Sequence, residues 1–267
     1  MNPLATTGFT GPRYYDELLG PITFGPMGMA LAGRVPVQPP GDVLELACGT
    51  GLVTRELRRR LDPSVQLVAT DLNATMLNYA RQKSEGVAGL SFEPADMMAL
   101  PFPDGRFGVV VCGFGMMFAP DRLAALREAR RVMKAGAWLL LSVWDRIEEN
   151  TASHVNAQLL ESMFPGDPEI RFRLPYELAD RDAFRSLLEQ AGFGEISIEA
   201  ERFDYDDGDP MAIATGQMRG TPRSALIEQK GVPLDEVIRR VADALVAKGG
   251  SPYRGHAQAL LATARAR

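Results

Sequence analysis

Histidine and cysteine are the scarcest reactive residues in this chain, with two of each in 267. Two thiols in that length give no disulfide framework and fit a reducing compartment, so the cytoplasm is the expected location. No apolar run approaches the ~20 residues that cross a bilayer, and the best candidate, "WLLLSVW" (Trp138–Trp144), is strand-sized. The start "MNPLATTGFTGPR" has no basic segment followed by an apolar block, so no secretion signal is expected. A basic excess is missing too: a net charge of −5 and a pI near 5.3 argue against a nucleic-acid partner. The one basic run, "RELRRR" (Arg55–Arg60), falls on an expected helix and reads as its solvated outer face. No His, Cys or Asp cluster has metal-ligand spacing, so no metal is expected. What is present, 46% hydrophobic and 24% charged residues, is ordinary for a globular protein that buries a sizeable core.

Apolar runs of strand length occur at Asp42–Leu46, Gln66–Thr70, Leu90–Glu93, Gly108–Phe114, Ala137–Val143, Glu195–Glu201 and Gln258–Ala264. Helical patterns at Leu52–Leu61, Ala74–Ser84 and Arg122–Met133 separate several of the first five. That alternation, with near-continuous apolar strands such as "GVVVCGF", predicts an α/β fold with a parallel sheet covered on both faces. Such sheets bind ligands beyond the carboxyl ends of their strands. The expected division is an N-terminal lid segment over 1–40 and a ligand-binding core over 41–145. A lid insertion over 146–180 follows, with a helix near Ala152–Phe164. The rest of the core spans 181–267, with a helical insertion near 209–249.

The stretch "VLELACGTG" (Val43–Gly51) carries the first strand into a sharp turn. Gly49 and Gly51 permit backbone torsions that other residues resist and let a ligand approach the main chain. An ordinary strand-to-helix turn uses glycine as well, so the loop alone decides nothing. The acids add to it. Glu45 lies inside the first strand, aimed at the turn. Asp71 ends the second strand, where a carboxylate can accept both hydroxyls of a ribose. Asp96 follows the third strand, where it can accept from an adenine amino group. Each acid alone is a plausible cap; jointly, at the ends of successive strands, they read as a nucleoside site. A pyrophosphate fits poorly, because the dinucleotide fingerprint has Thr54 where its third glycine belongs and no P-loop lysine is present. A cationic or zwitterionic tail suits an acidic loop better.

Four segments in order, "VLELACGTG", "VATDLNATML", "ADMMALPFPDGRFGVVVCGFGMMF" and "ALREARRVMKAGAWLLLSVW", resemble class I S-adenosylmethionine-dependent methyltransferases of the ubiquinone/menaquinone-biosynthesis-like branch. The resemblance covers at least Tyr15 to Phe193. It implies a Rossmann-like, seven-stranded, mostly parallel sheet with helices on both faces and a helical lid, "QALLATARAR" forming a final antiparallel strand. It implies S-adenosylmethionine as cofactor and S-adenosylhomocysteine as product. By position, Ala47, Cys48, Gly49, Thr50 and Gly51 would face the methionine portion. Asp71 would hold the ribose, with Leu72 and Met76 beside the adenosine, and Asp96 and Met97 would flank the adenine. Cys112 and Gly113 would offer backbone groups to the methionine end, Met117 would touch cofactor or acceptor, and Tyr15 would come from the lid. Many relatives carry Gln where Gly113 stands.

Methyl transfer from a sulfonium is an in-line displacement, so alignment and exclusion of water are the main tasks. A base is needed only when the acceptor must lose a proton. His154, at the start of the expected lid helix, is the candidate for that role, while His256 reads as a surface-loop residue. No [DN]-P-P-[YFW] follows the fourth strand, against methylation of a nucleic-acid base amine. Twelve Met and twelve Phe, with Tyr176 and Trp144, can line an apolar acceptor pocket. The expected partner is therefore a small apolar or aromatic acceptor, with no nucleic acid and no membrane span; a homodimer is compatible with it. The alternatives are a catalytically silent S-adenosylmethionine-binding protein, a non-methylating enzyme on the same scaffold and, further off, an NAD-dependent oxidoreductase.

Overall fold

The first strand is short, and its apolar residues point both ways: Val43, Leu44 and Leu46 are all fully buried. A strand buried on both faces belongs inside a covered sheet, and in the computed structural model β1 (Asp42–Glu45) lies near the middle of seven strands. The structure describes residues 11–167, 169, 172–221 and 223–267. The first ten residues of the expected lid segment, three residues of the lid insertion and Pro222 of the helical insertion lie outside them.

A π-helical segment, Tyr15–Phe24, leads into α1 (Gly25–Gly33) ahead of β1. Then come α2 (Leu52–Arg60), β2 (Leu67–Asp71), α3 (Ala74–Lys83), β3 (Leu90–Pro94), β4 (Phe107–Gly113), α4 (Arg122–Val132) and β5 (Met133–Trp144). The helices start where short polar side chains satisfy free N–H groups: Asn73 accepts from Thr75 and Met76, and Asp121 from Ala124. Next follow α5 (Thr151–Met163), α6 (Arg181–Gln190) and β6 (Phe193–Gly208). Three helices, α7 (Pro210–Arg219), α8 (Arg223–Gln229) and α9 (Leu234–Gly249), precede the last strand, β7 (Tyr253–Ala266).

The sheet order is β3-β2-β1-β4-β5-β7-β6. The first five strands are parallel, and β7 runs antiparallel to both of its neighbours. The order reverses between β1 and β4, the place where parallel α/β sheets open a crevice. This is the mostly parallel seven-stranded architecture that the sequence predicts, with the final strand antiparallel.

Three expectations are corrected. β6 and β7 run well beyond Glu195–Glu201 and Gln258–Ala264, pairing Phe203 with Ala257 and Tyr205 with Gly255 as a two-stranded ribbon past the end of β5. The charges in "RFDYDDG" hide that strand, whose buried Tyr205 packs near Tyr253. His256 is consequently a half-buried strand residue opposite Asp204, not a loop residue. The "RELRRR" run is not a uniformly solvated face either. Arg58 donates to the carbonyls of Leu61, Asp62, Val65 and Gly89, fastening α2 to the following turn and to the start of β3. Only Arg59 and Arg60 of the run are exposed.

Leu44, fully buried in β1, sets the packing beneath the crevice. Leu44→Ala should lower unfolding free energy by about 2–5 kcal/mol, the range for a buried leucine truncated to alanine. Urea denaturation of both proteins checks this.

Candidate functional site

The turn after β1 needs backbone shapes that few residues take. Ala47, Gly49 and Gly51 all have positive φ, at 52°, 56° and 82°. The two glycines adopt that region freely; alanine does so under strain, which concentrates at sites the surrounding fold over-determines. A Cβ on Gly51 would come within 3.1 Å of the Ala80 side chain, whereas Gly49 faces open space. Glycine at 51 thus answers to packing as well as to its torsion, and glycine at 49 to its torsion alone.

Asp71 ends β2 and holds this turn. Its Oδ2 accepts from the Gly49 N–H at 2.8 Å, and its Oδ1 from the Asn73 N–H at 2.7 Å. Burial pushes its pKa up, and the backbone N–H groups of Asn73, Gly49 and Leu72 oppose that shift. Glu45 is more extreme. It is 1% exposed and its Oε2 has no hydrogen-bond partner. Burial raises its pKa to about 8; nearby Thr54 and Arg55 act against the shift and Asp71 adds to it. Thr54, where the dinucleotide fingerprint has glycine, is fully buried beside this acid.

A cleft follows the strand ends, lined by Tyr15, Phe24, Glu45, Ala47, Cys48, Gly49, Thr50, Leu52, Val53, Gly113 and Phe114. Of the residues expected at a ligand, it gathers Tyr15, Glu45, Ala47 to Thr50 of the glycine loop, and Gly113, while Gly51 packs behind against Ala80. Asp71 adjoins it through Gly49. Leu72 stands exposed at the end of β2, with half-buried Met76 one helical turn on. Met97 reaches the same rim: its Cε lies 3.7 Å from where a Gly115 Cβ would sit.

Other expected residues are placed differently. The Asp96 carboxylate accepts from the Met98 N–H at 2.8 Å, closing its own turn, and Asp96 does not line the cleft. Met117 is buried in the core, with its carbonyl bonded to Arg122. Cys48 and Cys112 are free and buried; desolvation holds the Cys48 thiol well above its usual range and the Cys112 thiol up to about 12, so both are neutral. His154 stands half-buried in the first turn of α5 and does not line the cleft. A side chain at 113 would meet Val53 Cγ2 at 2.9 Å, which accounts for glycine there.

Trp144, expected at an apolar pocket, is joined by participants that the sequence reading did not single out. Phe24, Phe114 and Trp144 form an aromatic group over the cleft: Phe114 stacks on Trp144 at 4.0 Å, and Phe24 stacks on Tyr15 at 4.5 Å. Phe24 also touches both other rings, at 5.4 Å each. Phe114 has a φ of 57° at the end of β4. Gly115 lets β4 approach the glycine loop, since a Cβ there would lie 2.4 Å from Ala47 Cβ. Arg55 donates to the Thr50 carbonyl at 3.0 Å and to Asp16 at 2.8 Å, tying the loop to the N-terminal segment. Such contacts join residues far apart in sequence, and of the N-terminal aromatics only Tyr15 is expected at the site.

Comparison with known proteins gives the arrangement its relatives. Residues 43–136 match the family model described as a methyltransferase domain. The chain is 39% identical over 187 residues to the ubiquinone/menaquinone biosynthesis C-methyltransferase UbiE of Saccharophagus degradans, covering 65% of this chain and 73% of that protein. It is 32% identical over 168 residues to the UbiE of Pseudomonas aeruginosa, covering 58% of this chain and 66% of that one. The match to the Pseudomonas protein thus spans just under two thirds of its length. Among solved structures, phosphoethanolamine N-methyltransferase 2 of Haemonchus contortus, in complex with phosphomonomethylethanolamine and S-adenosylhomocysteine, superposes with a TM-score of 0.62. It is 15% identical, covering 97% of this chain and 58% of that one, a likeness of fold. With the strand order and the glycine turn already described, these matches settle the family: the chain belongs to the class I S-adenosylmethionine-dependent methyltransferases, in their ubiquinone/menaquinone-biosynthesis-like branch.

Proposed function

We propose that the chain transfers a methyl group from S-adenosylmethionine to a small acceptor with an apolar or aromatic body, on oxygen, nitrogen or carbon. The observation that carries this reading is Glu45: a carboxyl group 1% exposed, with one oxygen unpartnered, beside a turn built for close approach. A buried acid of that kind favours a cationic ligand. S-adenosylmethionine brings an ammonium and a sulfonium, whereas a dinucleotide would bring a pyrophosphate against Glu45 and Asp71. The cofactor supplies an electrophilic methyl group on a positively charged sulfur.

In this reading the chain binds, orients and excludes water. The backbone of Ala47, Cys48, Gly49, Thr50 and Gly51 lies along the methionine portion, with Cys112 and Gly113 opposite. Asp71, already aligned by Gly49 and Asn73, offers its remaining lone pairs to the ribose hydroxyls. Leu72, Met76 and Met97 flank the adenosine, with the Asp96 turn beside the adenine. Tyr15, Phe24, Phe114 and Trp144 close the cleft and present aromatic faces to the acceptor. The described parts of the segments 1–40, 146–180 and 209–249 act as its cover. Where the acceptor carries a proton to be lost, His154 on α5 takes it. The enzyme works in the cytoplasm on a small molecule rather than a nucleic acid. No described helix is long and apolar enough to cross a membrane.

Asp71→Ala should weaken S-adenosylhomocysteine binding by about 1.5–3 kcal/mol, the cost of losing charge-assisted hydrogen bonds; unchanged affinity in titration calorimetry sinks the ribose assignment. Glu45 generates a pH dependence. Its folded pKa, about 8, lies above that of the unfolded chain, so the folded state holds the extra proton between roughly pH 4.5 and 8. Stability from this group is therefore lost as pH rises through that window. Glu45→Gln should flatten the decline in melting temperature, leaving the part due to Asp71. Binding a cation favours the ionised form, so affinity for S-adenosylmethionine should rise with pH up to about 8, by at most about tenfold per unit. Loss of this slope in Glu45→Gln would support the assignment. His154→Ala should slow turnover while sparing cofactor affinity; an unaltered rate in a methyl-transfer assay removes it from the mechanism.

A further inference from the structure

The cleft is narrower than the ligand proposed for it. Its volume is about 30 Å³, room for a water or two, whereas sites for small molecules measure about 300–1,000 Å³. The methionine portion of the cofactor therefore enters only if part of the lining moves. The turn side is fixed: Asp71 holds the Gly49 N–H, Gly51 packs on Ala80, and Gly115 at the end of β4 lies against Ala47. The covering side is built differently. Tyr15 and Phe24, which line the cleft, belong to the π-helical segment. Helices of this kind are rare and concentrate at functional sites, and Pro21 within it offers no N–H to the bonding.

One polar contact holds that segment down. Asp16, with its side chain 9% exposed, accepts from Arg55 Nη2 at 2.8 Å and from the Tyr79 hydroxyl at 3.5 Å. The same guanidinium donates through Nη1 to the Thr50 carbonyl of the glycine turn. Among the described residues these are the only side-chain hydrogen bonds from Tyr15–Phe24 to the turn, α2 or α3. The other contacts across this boundary are apolar: Gly20 lies against Leu52, and Phe24 meets Phe114 and Trp144. On its far side the segment is seated on α7, where a Cβ on Gly216 would stand 3.0 Å from Leu18 and Leu19. The helical insertion that α7 opens leaves and rejoins the sheet at the tip of the β6–β7 ribbon, where Gly208 pairs with Tyr253. A ribbon two strands wide is marginally stable by itself, so this mount yields more readily than the seven-stranded sheet.

We infer that the segment Tyr15–Phe24 and α7 lift together to admit and release the cofactor, and that the Asp16–Arg55 pair is the latch on this movement. Opening separates Asp16 from Arg55 and takes Tyr15 and Phe24 out of the cleft. Arg55 keeps its bond to Thr50, so the turn stays set. Closing restores the pair and shuts water out from around the methyl group. The strength of one ion pair thus governs how fast cofactor and product exchange. This inference rests on the methyltransferase reading of the cleft and adds to it the step that controls access.

The test mixes the whole protein with S-adenosylhomocysteine by stopped flow and follows Trp144 fluorescence in a Trp138→Phe background. The observed association rate should level off with rising ligand concentration, at the rate of opening. Asp16→Asn should raise that plateau and the dissociation rate together, each by about threefold or more, within the range measured for ion pairs. Affinity should change by less than about twofold, since both directions speed up. A contact that merely stabilised the fold would not speed association. A rate that climbs linearly to the highest concentration, or a plateau that Asp16→Asn leaves unchanged or lowers, overturns the inference. Should Asp16→Asn not fold, Tyr79→Phe, which removes the longer of the two bonds to Asp16, takes its place with the same signs. Hydrogen exchange needs no ligand: amides of Tyr15–Phe24 should exchange about threefold faster or more in Asp16→Asn, while those of β1 to β5 keep their rates. Equal rates in the segment overturn the latch. S-adenosylhomocysteine that fails to bind refutes the cofactor reading alone, and the exchange measurement then judges the latch.

Discussion

The hydrogen bond from the Gly49 N–H to Asp71 Oδ2 is the constraint around which the crevice is organised. It joins the turn after β1 to the last residue of β2, two points twenty-two residues apart that the parallel register brings side by side. With the Asn73 N–H on its other oxygen, the carboxylate is oriented by backbone groups alone. Backbone donors have little freedom to move away, so the acid is set before any ligand arrives. The strained torsion of Ala47 and the absence of a side chain on Gly115 follow from the same requirement: the turn must sit close to the ends of both β2 and β4.

Around that fixed turn the second layer is attached by different forces. Arg55 fastens the N-terminal segment through Asp16, a half-buried ion pair stiffened by a further bond to the Thr50 carbonyl. The aromatic group Tyr15, Phe24, Phe114 and Trp144 adds apolar contact with directional preferences. A rigid polar floor and a mostly apolar roof suit a reaction that needs alignment and dryness rather than an elaborate proton relay.

The floor was largely legible in the sequence and the roof was not. The parallel core is written in local signals: apolar runs of strand length, Asn73 and Asp121 as helix caps, and glycines at Gly49 and Gly51. Glu45 and Asp71 were readable because strand ends in such a sheet converge. Asp96 closes its own turn and Met117 lies in the core, placements that position along a strand end does not specify. The β6–β7 ribbon was hidden because its outward residues are charged and mask the inward alternation of Phe203 and Tyr205. Arg55 and Phe24 act through partners distant in sequence, and no local pattern announces such a contact.

The packing of the N-terminal segment has a consequence for how the chain is made. A Cβ on Gly11 would lie 1.9 Å from the Arg219 carbonyl oxygen, and one on Gly220 would lie 3.0 Å from the Tyr15 nitrogen, so the first described residues are seated against α7. The earliest part of the roof to leave the ribosome is thus among the last to find its place. During synthesis β1 to β5 can pair behind it, while this segment must wait, tethered, for residues some two hundred positions later. Closing so long a loop costs little more entropy than closing one half as long, but it delays the event until α7 has been made. A truncated chain would carry the acidic floor without its roof.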